Sequence, residues 1–305
     1  MIVPPKLEAG ARVALVAAAG PIPEGGVERA MERVRSVGWE PVAGQNCRGR
    51  RGYLAGSDAE RAADLNAALR DPQIRAVWFL RGGYGTMRIL DDIDWPALAR
   101  DPKPLIGFSD NTAVHLGANA VGVVGFHGPH PHTPEFPDFA RDGLLRVLAS
   151  AEPAGVLPFP PGGAERGETL AGGSAEGPLV GGNLSLLSAT MGTPYAVQPE
   201  GAILFIEEVG ESPYRLDRML SHLTLAGVLD AVSGIAVGGI TEVPGENGDA
   251  LAREVLHDRL GRLGVPVAIG FPFGHIDDNW TLPVGLRARL DADAGTLALL
   301  EGAVA

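Results

Sequence analysis

The sequence predicts an α/β protein built on a parallel sheet, and three observations carry that reading. Apolar, strand-like runs alternate with helical segments through the first half of the chain, and strands joined by helices pair in parallel with both faces covered. The strand runs are short and apolar, as in RAVWFL (75–80) and PLIGF (104–108). At 305 residues, 45% hydrophobic and 20% charged, the chain has ordinary globular composition and is long enough for two domains.

ARVALVAAAG (11–20) reads as a buried strand running into a Gly-Pro turn, with a helical pattern over 24–38. Ser57-Asp58-Ala59-Glu60 has capping-box spacing and opens a helix over 58–70, with Leu65 and Leu69 four apart. The strand at 75–80 runs into RGGYG (81–85), a helix is expected near 85–92, and PLIGF is the next strand. A helix from about 110 to 120 and the strand VGVVGF (121–126) complete the first half. Residues 128–179 are dense in Pro and Gly and read as loops and a crossover. The second half then offers strands at 202–209, 233–240 and 265–271, and helices near 213–226 and 249–262. Strand-like pieces near 286–290 and 296–300 close the chain. The organisation expected is an N-terminal domain over 1–145, a linker over 146–168 and a C-terminal domain over 169–305.

A formal charge of −12 argues against nucleic-acid binding, which requires a basic face. Cys47 is the only cysteine, so there is neither a disulfide framework nor a cysteine metal cluster. No apolar run approaches the roughly 20 residues that span a bilayer. MIVPPKLEAGARVALVAAAGP does not read as a signal peptide, and a cytoplasmic location is expected.

Ser109 follows the strand PLIGF and precedes a helix. It reads either as a helix N-cap or as a nucleophile raised at the carboxyl end of a sheet strand, where open α/β folds place their ligands. The G-x-S-x-G nucleophile elbow is half met, because Gly107 is present but Asn111 replaces the second glycine. RGGYG is either a tight turn needing positive φ or a loop whose N–H groups approach an anion. Glu207 and Glu208 end an apolar strand, and pleating sends at most one of them to a given site. Either is otherwise a solvated strand terminus. His275, in GFPFGH, follows a strand and a glycine. His130 and His132 invite a metal reading, but no H-E-x-x-H or matching carboxylate spacing supports it, so no metal or other cofactor is expected. His115 and His257 read as helix packing or surface residues, while Cys47 has basic neighbours that favour a thiolate. A serine hydrolase needs a nucleophile, a base, a group orienting the base and oxyanion donors. Ser109, His275, one of Glu207 and Glu208, and N–H groups of RGGYG and Asp110 supply all four, from strand ends in both halves of the chain.

Beyond these residues, YLAGSDAERAADL (53–65), WFLRGGYGTMRILDDIDW (78–95), PKPLIGFSDNTAVHL (102–116) and FHGP (126–129) stand in an order with LVGGNLSLLSATMGTPY (179–195), LFIEEVGESPYRLDRMLSHLTLAG (204–227) and GFPFGHIDDNWTLPVG (270–285). Over nearly its whole length the chain resembles the LD-carboxypeptidases (muramoyltetrapeptide carboxypeptidases), a family that also includes microcin C immunity peptidases. The resemblance implies a flavodoxin-like or glutamine-amidotransferase-like N-terminal domain and a smaller mixed α/β C-terminal domain, commonly in a homodimer. It implies a triad of Ser109 as nucleophile, Glu207 as orienting carboxylate and His275 as base, with backbone N–H of Asp110 and of Gly83 or its neighbour as the oxyanion hole. The substrate it implies is a muropeptide or other small peptide, cleaved between the L-centre of a diamino acid and D-Ala in murein recycling. The alternatives are hydrolysis of microcin C-like peptidyl or aminoacyl nucleotides by the same triad, and a non-catalytic binding protein that keeps the fold.

Overall fold

The computed structural model describes residues 1–305. β1 (Arg12–Val16), buried from Val13 onward, leads into α1 (Gly26–Ser36), whose buried face carries Val27, Ala30 and Val34. β2 (Glu40–Ala43), α2 (Asp58–Arg70) and β3 (Ile74–Phe79) follow. The expected capping box opens α2: Ser57 Oγ accepts the Glu60 N–H at 3.2 Å, and the Glu60 carboxylate accepts the Ser57 N–H at 2.7 Å. A 3₁₀ helix over Thr86–Asp92 precedes α3 (Trp95–Arg100) and β4 (Leu105–Gly107). A second 3₁₀ turn, Ser109–Asn111, runs into α4 (Thr112–Ala120), then β5 (Gly125–His127) and α5 (Asp138–Leu148).

Next come β6 (Gly155–Val156), β7 (Glu168–Ala171), β8 (Ser174–Asn183) and α6 (Leu184–Ala189). β9 (Ile203–Val209), α7 (Pro213–Leu225), α8 (Val228–Ala231) and β10 (Gly234–Thr241) follow. The chain ends with α9 (Gly248–Leu260), β11 (Val267–Ile269), β12 (Leu282–Val284), β13 (Arg287–Asp291) and β14 (Thr296–Leu299).

The chain divides into two units, Met1–Glu152 with Thr281–Val284 and Gly302–Ala305, and Pro153–Trp280 with Gly285–Glu301. Residues 281–284 and 302–305, which the sequence groups with the C-terminal domain, therefore belong to the first unit. In that unit the sheet order is β12-β5-β4-β3-β1-β2. The five strands from β2 to β5 are parallel in the order 2-1-3-4-5, the flavodoxin-like doubly wound arrangement, and β12 adds an antiparallel edge on β5. The glycine-rich loop follows β3 and Ser109 follows β4, so both stand at the carboxyl ends of parallel strands. The second unit's sheet runs β6-β14-β13-β8-β9-β10-β11-β7, with β8 to β11 parallel and the outer strands antiparallel.

The helix expected near 85–92 is present as a 3₁₀ helix, held at its ends by Thr86 N–H on the Asp110 carboxylate and by Asn66 on the Asp92 carbonyl. Two other expectations differ from the structure. The strand expected at 121–126 begins only at Gly125, because Val121 and Gly122 close α4 with bonds back to Ala118 and Asn119. The Pro- and Gly-rich stretch 128–179 is not all loop: it contains α5, β6, β7 and the start of β8.

Candidate active site

Ser109 lies in the tight turn between β4 and α4 with φ of +61°, one of two non-glycine residues with positive φ. That region costs a residue with a Cβ about 1–3 kcal/mol and persists only where surroundings enforce it. Asn111, not Ser109, occupies the N-cap position of α4, so capping does not account for Ser109. The surroundings are tight. Gly82 packs its backbone on the serine: a Cβ there would stand 2.8 Å from Ser109 Cβ and 3.0 Å from its Oγ. Gly83 and Gly85 have φ of +107° and +136°, so the loop needs left-handed glycines as well as close approach to Ser109. Gly107 is equally constrained, since a side chain would meet Asn111 Oδ1 at 2.6 Å.

Behind the serine, Asp110 is 1% exposed, and its carboxylate accepts the Thr86 N–H at 2.8 Å. Burial pushes this carboxyl above its ordinary range, opposed by N–H donation from Thr86 and Gly85. His130 is a packing group: it stacks on Phe108 with ring centroids 4.4 Å apart, and its Nε2 lies 2.8 Å from Asn111 Oδ1. His132 is held to about 4 by burial and by the nearby Arg81 charge. His115 is fully buried, 3.1 Å from the Leu105 carbonyl, and burial holds it at about 4. No group of three or more His, Cys, Asp or Glu side chains is arranged to hold a metal ion. Cys47 is buried, and burial raises its thiol pKa against the opposing charge of Arg48. The basic neighbours do not outweigh desolvation.

In the second unit the structure brings Glu207 and His275 together. Glu207, on β9, has no exposed surface, and its Oε2 stands 2.6 Å from His275 Nδ1. Burial raises the Glu207 carboxyl, opposed by the imidazole. For His275 burial disfavours the cation, but the hydrogen bond and charge of Glu207 outweigh it and leave the imidazole more basic than usual. Glu208 points elsewhere, accepting from Asn183 Nδ2 at 3.0 Å and from the Ser185 N–H at the start of α6 at 2.8 Å. Neither glutamate is a solvated strand end. Both are buried.

Two positions that sequence reasoning missed set the histidine's loop. A side chain at Gly274 would stand 2.7 Å from Glu207 Cβ, so the glycine lets the loop lie against β9. Asn279 accepts the Gly274 N–H at 3.1 Å and donates to the Gly274 carbonyl at 2.9 Å, clamping the residue before His275. The only sequence signal for either was proximity to His275. Such an arrangement can hold one imidazole tautomer and stabilise its cation, which is what acid–base catalysis at a nucleophilic serine requires.

Residues 13–128 match the LD-carboxypeptidase N-terminal domain and residues 176–290 match the LD-carboxypeptidase C-terminal domain. A putative carboxypeptidase of Streptomyces coelicolor is 42% identical over 98% of this chain and 96% of its own. The murein tetrapeptide carboxypeptidase of Pseudomonas aeruginosa is 32% identical over 92% of this chain and 94% of its own. The crystal structure of muramoyltetrapeptide carboxypeptidase from Oxalobacter formigenes superposes with a TM-score of 0.83 at 32% identity, covering 94% of this chain and 97% of that one. The chain belongs to the LD-carboxypeptidase family of serine peptidases. It is a hydrolase of the peptidase class.

Proposed function

We propose that the chain removes the terminal D-alanine from murein tetrapeptides, cutting after the L-centre of the diamino acid, with Ser109 as nucleophile, His275 as base and Glu207 as its orienting carboxylate. The observation that carries this reading is the 2.6 Å bond between buried Glu207 and His275 Nδ1, which assigns the base role to Nε2. Nε2 takes the Ser109 hydroxyl proton as Oγ attacks the scissile carbonyl. Backbone N–H groups of Asp110 and Gly83 receive the oxyanion, with Gly82 keeping the loop close enough to do so. The imidazolium gives its proton to the departing amine of D-Ala, leaving an acyl ester on Ser109. Water, deprotonated by His275, then releases the shortened peptide and restores the hydroxyl. The substrate class follows the names of the relatives from Pseudomonas aeruginosa and Oxalobacter formigenes. Family resemblance adds a cytoplasmic homodimer acting in murein recycling, and no helix of this chain is long and apolar enough to cross a membrane.

The test is mass spectrometry of wild type and Ser109→Ala with three substrates: a tetrapeptide ending L-diamino acid–D-Ala, a pentapeptide ending D-Ala–D-Ala, and a peptidyl nucleotide. Wild type should release D-Ala from the first alone, and folded Ser109→Ala should lose roughly 10⁶-fold in kcat. Turnover by the folded alanine variant ends the triad reading, and activity on the peptidyl nucleotide alone moves the substrate to the microcin class.

A further inference from the structure

We propose that Arg61 and the carboxylate of Asp110 are positioning residues that together clamp the glycine-rich loop 81–85 against the Ser109 turn, an inference that rests on Ser109 being the nucleophile. An arginine one turn into a capped helix ordinarily sends its charge to water. Arg61 instead lies on the buried face of α2 with Leu65 and Ala68, and its side chain is 1% exposed. Its guanidinium joins three segments. It donates to the Ala18 carbonyl in the loop after β1, to the Gly85 carbonyl at 2.9 Å in the loop after β3, and to Asp58 in the first turn of α2. Asp58 in turn takes two bonds from Arg88, at 2.9 and 2.7 Å, in the 3₁₀ helix that continues the glycine loop. Burying a guanidinium is costly, and Nε here has no hydrogen-bond partner, so the Nη1 and Nη2 bonds to Ala18, Gly85 and Asp58 must hold it in place.

Asp110 holds the end of the same loop from the other side, at Thr86. Its carboxylate accepts N–H from Thr86 at 2.8 Å, and the Thr86 hydroxyl donates to the Asp110 carbonyl. The end of the loop is thus fixed at the Gly85 carbonyl by Arg61 and at the Thr86 N–H and hydroxyl by Asp110, the residue next to the serine. Leu54 and Arg61 also wall the position closely, since a Cβ at Gly85 would lie 2.7 Å from Leu54 Cδ2 and 2.8 Å from Arg61 Nη1. Three of the five residues of RGGYG are glycine, a composition with high backbone entropy that would leave an unanchored loop poorly defined. Oxyanion donors act only when held within a fraction of an ångström of the developing charge. The clamp supplies that constraint without touching substrate.

The experiment measures kcat, KM and thermal midpoint for Arg61→Met, Arg61→Lys, Asp110→Asn and, as a control, Lys103→Met. Lys103, just before β4, is another buried cation against α2, bonding the carbonyls of Ala68, Leu69 and Asp71 at the helix end remote from the loop. Arg61→Met and Asp110→Asn should lose about 10- to 100-fold in kcat with KM within about twofold, the pattern of misplaced transition-state donors. Arg61→Lys should recover part of the loss, because an ammonium can still reach one carbonyl. Lys103→Met should lower the midpoint without lowering kcat. Unchanged kcat in Asp110→Asn and both Arg61 variants would overturn the inference, as would an equal fall in kcat in Lys103→Met. If Arg61→Met fails to fold, Arg61→Lys and Asp110→Asn carry the test. An active Ser109→Ala protein instead removes the underlying reading, whereas inactive Ser109→Ala beside fully active clamp variants removes this inference alone.

Discussion

Glu207 and Glu208 are chain neighbours with the same functional group, yet the pleat of β9 gives them different partners. Glu207 meets His275, whereas Glu208 meets Asn183 and the N–H of Ser185. Because Glu207 raises the histidine above its ordinary value, the acid limb of kcat/KM should lie above pH 6.5, with activity falling as pH drops and the base is protonated. In Glu207→Gln the burial of His275 is opposed far less, so the acid limb should move to lower pH while the plateau falls by up to about 10⁴-fold. Glu208→Gln should leave the limb near its original position and cost much less. A pH–rate series on the two variants checks this, and a reversed pattern would put the triad out of register. His275 and one of the two glutamates were candidates from their places at strand ends, and only the family resemblance singled out Glu207. Arg61, Asn279 and Gly82 were not legible, since what matters about each is a contact with residues distant in the chain or a backbone approach that composition does not encode.

At the scale of elements, strands with continuous apolar sequence were readable: β1, β4, β9 and β11 stand within the runs that predicted them, and β3 and β10 overrun theirs by one residue. β8 was hidden by its own requirement for glycine. A side chain at Gly181, which has φ of +141°, would run into the Phe205 carbonyl of neighbouring β9, so a central parallel strand carries a loop-like sequence. α5 was hidden by its setting, a helix placed between two stretches rich in proline and glycine. Two substitutions separate these kinds of constraint. Ser57→Ala removes one half of the capping box of α2 and should cost about 1 kcal/mol. Gly181→Ala forces both a strained backbone and a clash inside the sheet, and it should cost more than about 4 kcal/mol, with most of the protein unfolded or insoluble. Denaturant titration of the pair provides the comparison, and a mild Gly181→Ala variant would contradict the geometry of β8.

For the molecule as a whole, the chain first passes between its units where the sequence suggests, but it does not stay in the second unit. A composition shift near residues 146–168 marks the passage from one unit to the other, but the chain returns to the first unit at Thr281–Val284 and again at Gly302–Ala305. The return was illegible because β12 is only three residues long and contains a proline, which reads as loop and is tolerated at a sheet edge. Pairing makes it structural: Leu282, Pro283 and Val284 lie opposite His127, Phe126 and Gly125, so β12 covers the side of β5 that β4 does not. Asn119, at the end of α4, adds a bond to the Val284 carbonyl at 2.9 Å. A fragment ending at Glu152 would therefore expose β5 as an unpaired edge, a surface prone to pairing with other chains. Expressed alone, residues 1–152 should show faster amide exchange at Gly125–His127 than the intact chain and a tendency to associate as concentration rises. Hydrogen exchange with mass spectrometry, together with light scattering over a concentration series, reads both effects. A monomeric fragment with full protection at β5 would mean that the parallel strands alone define the first unit and that β12 is dispensable to it.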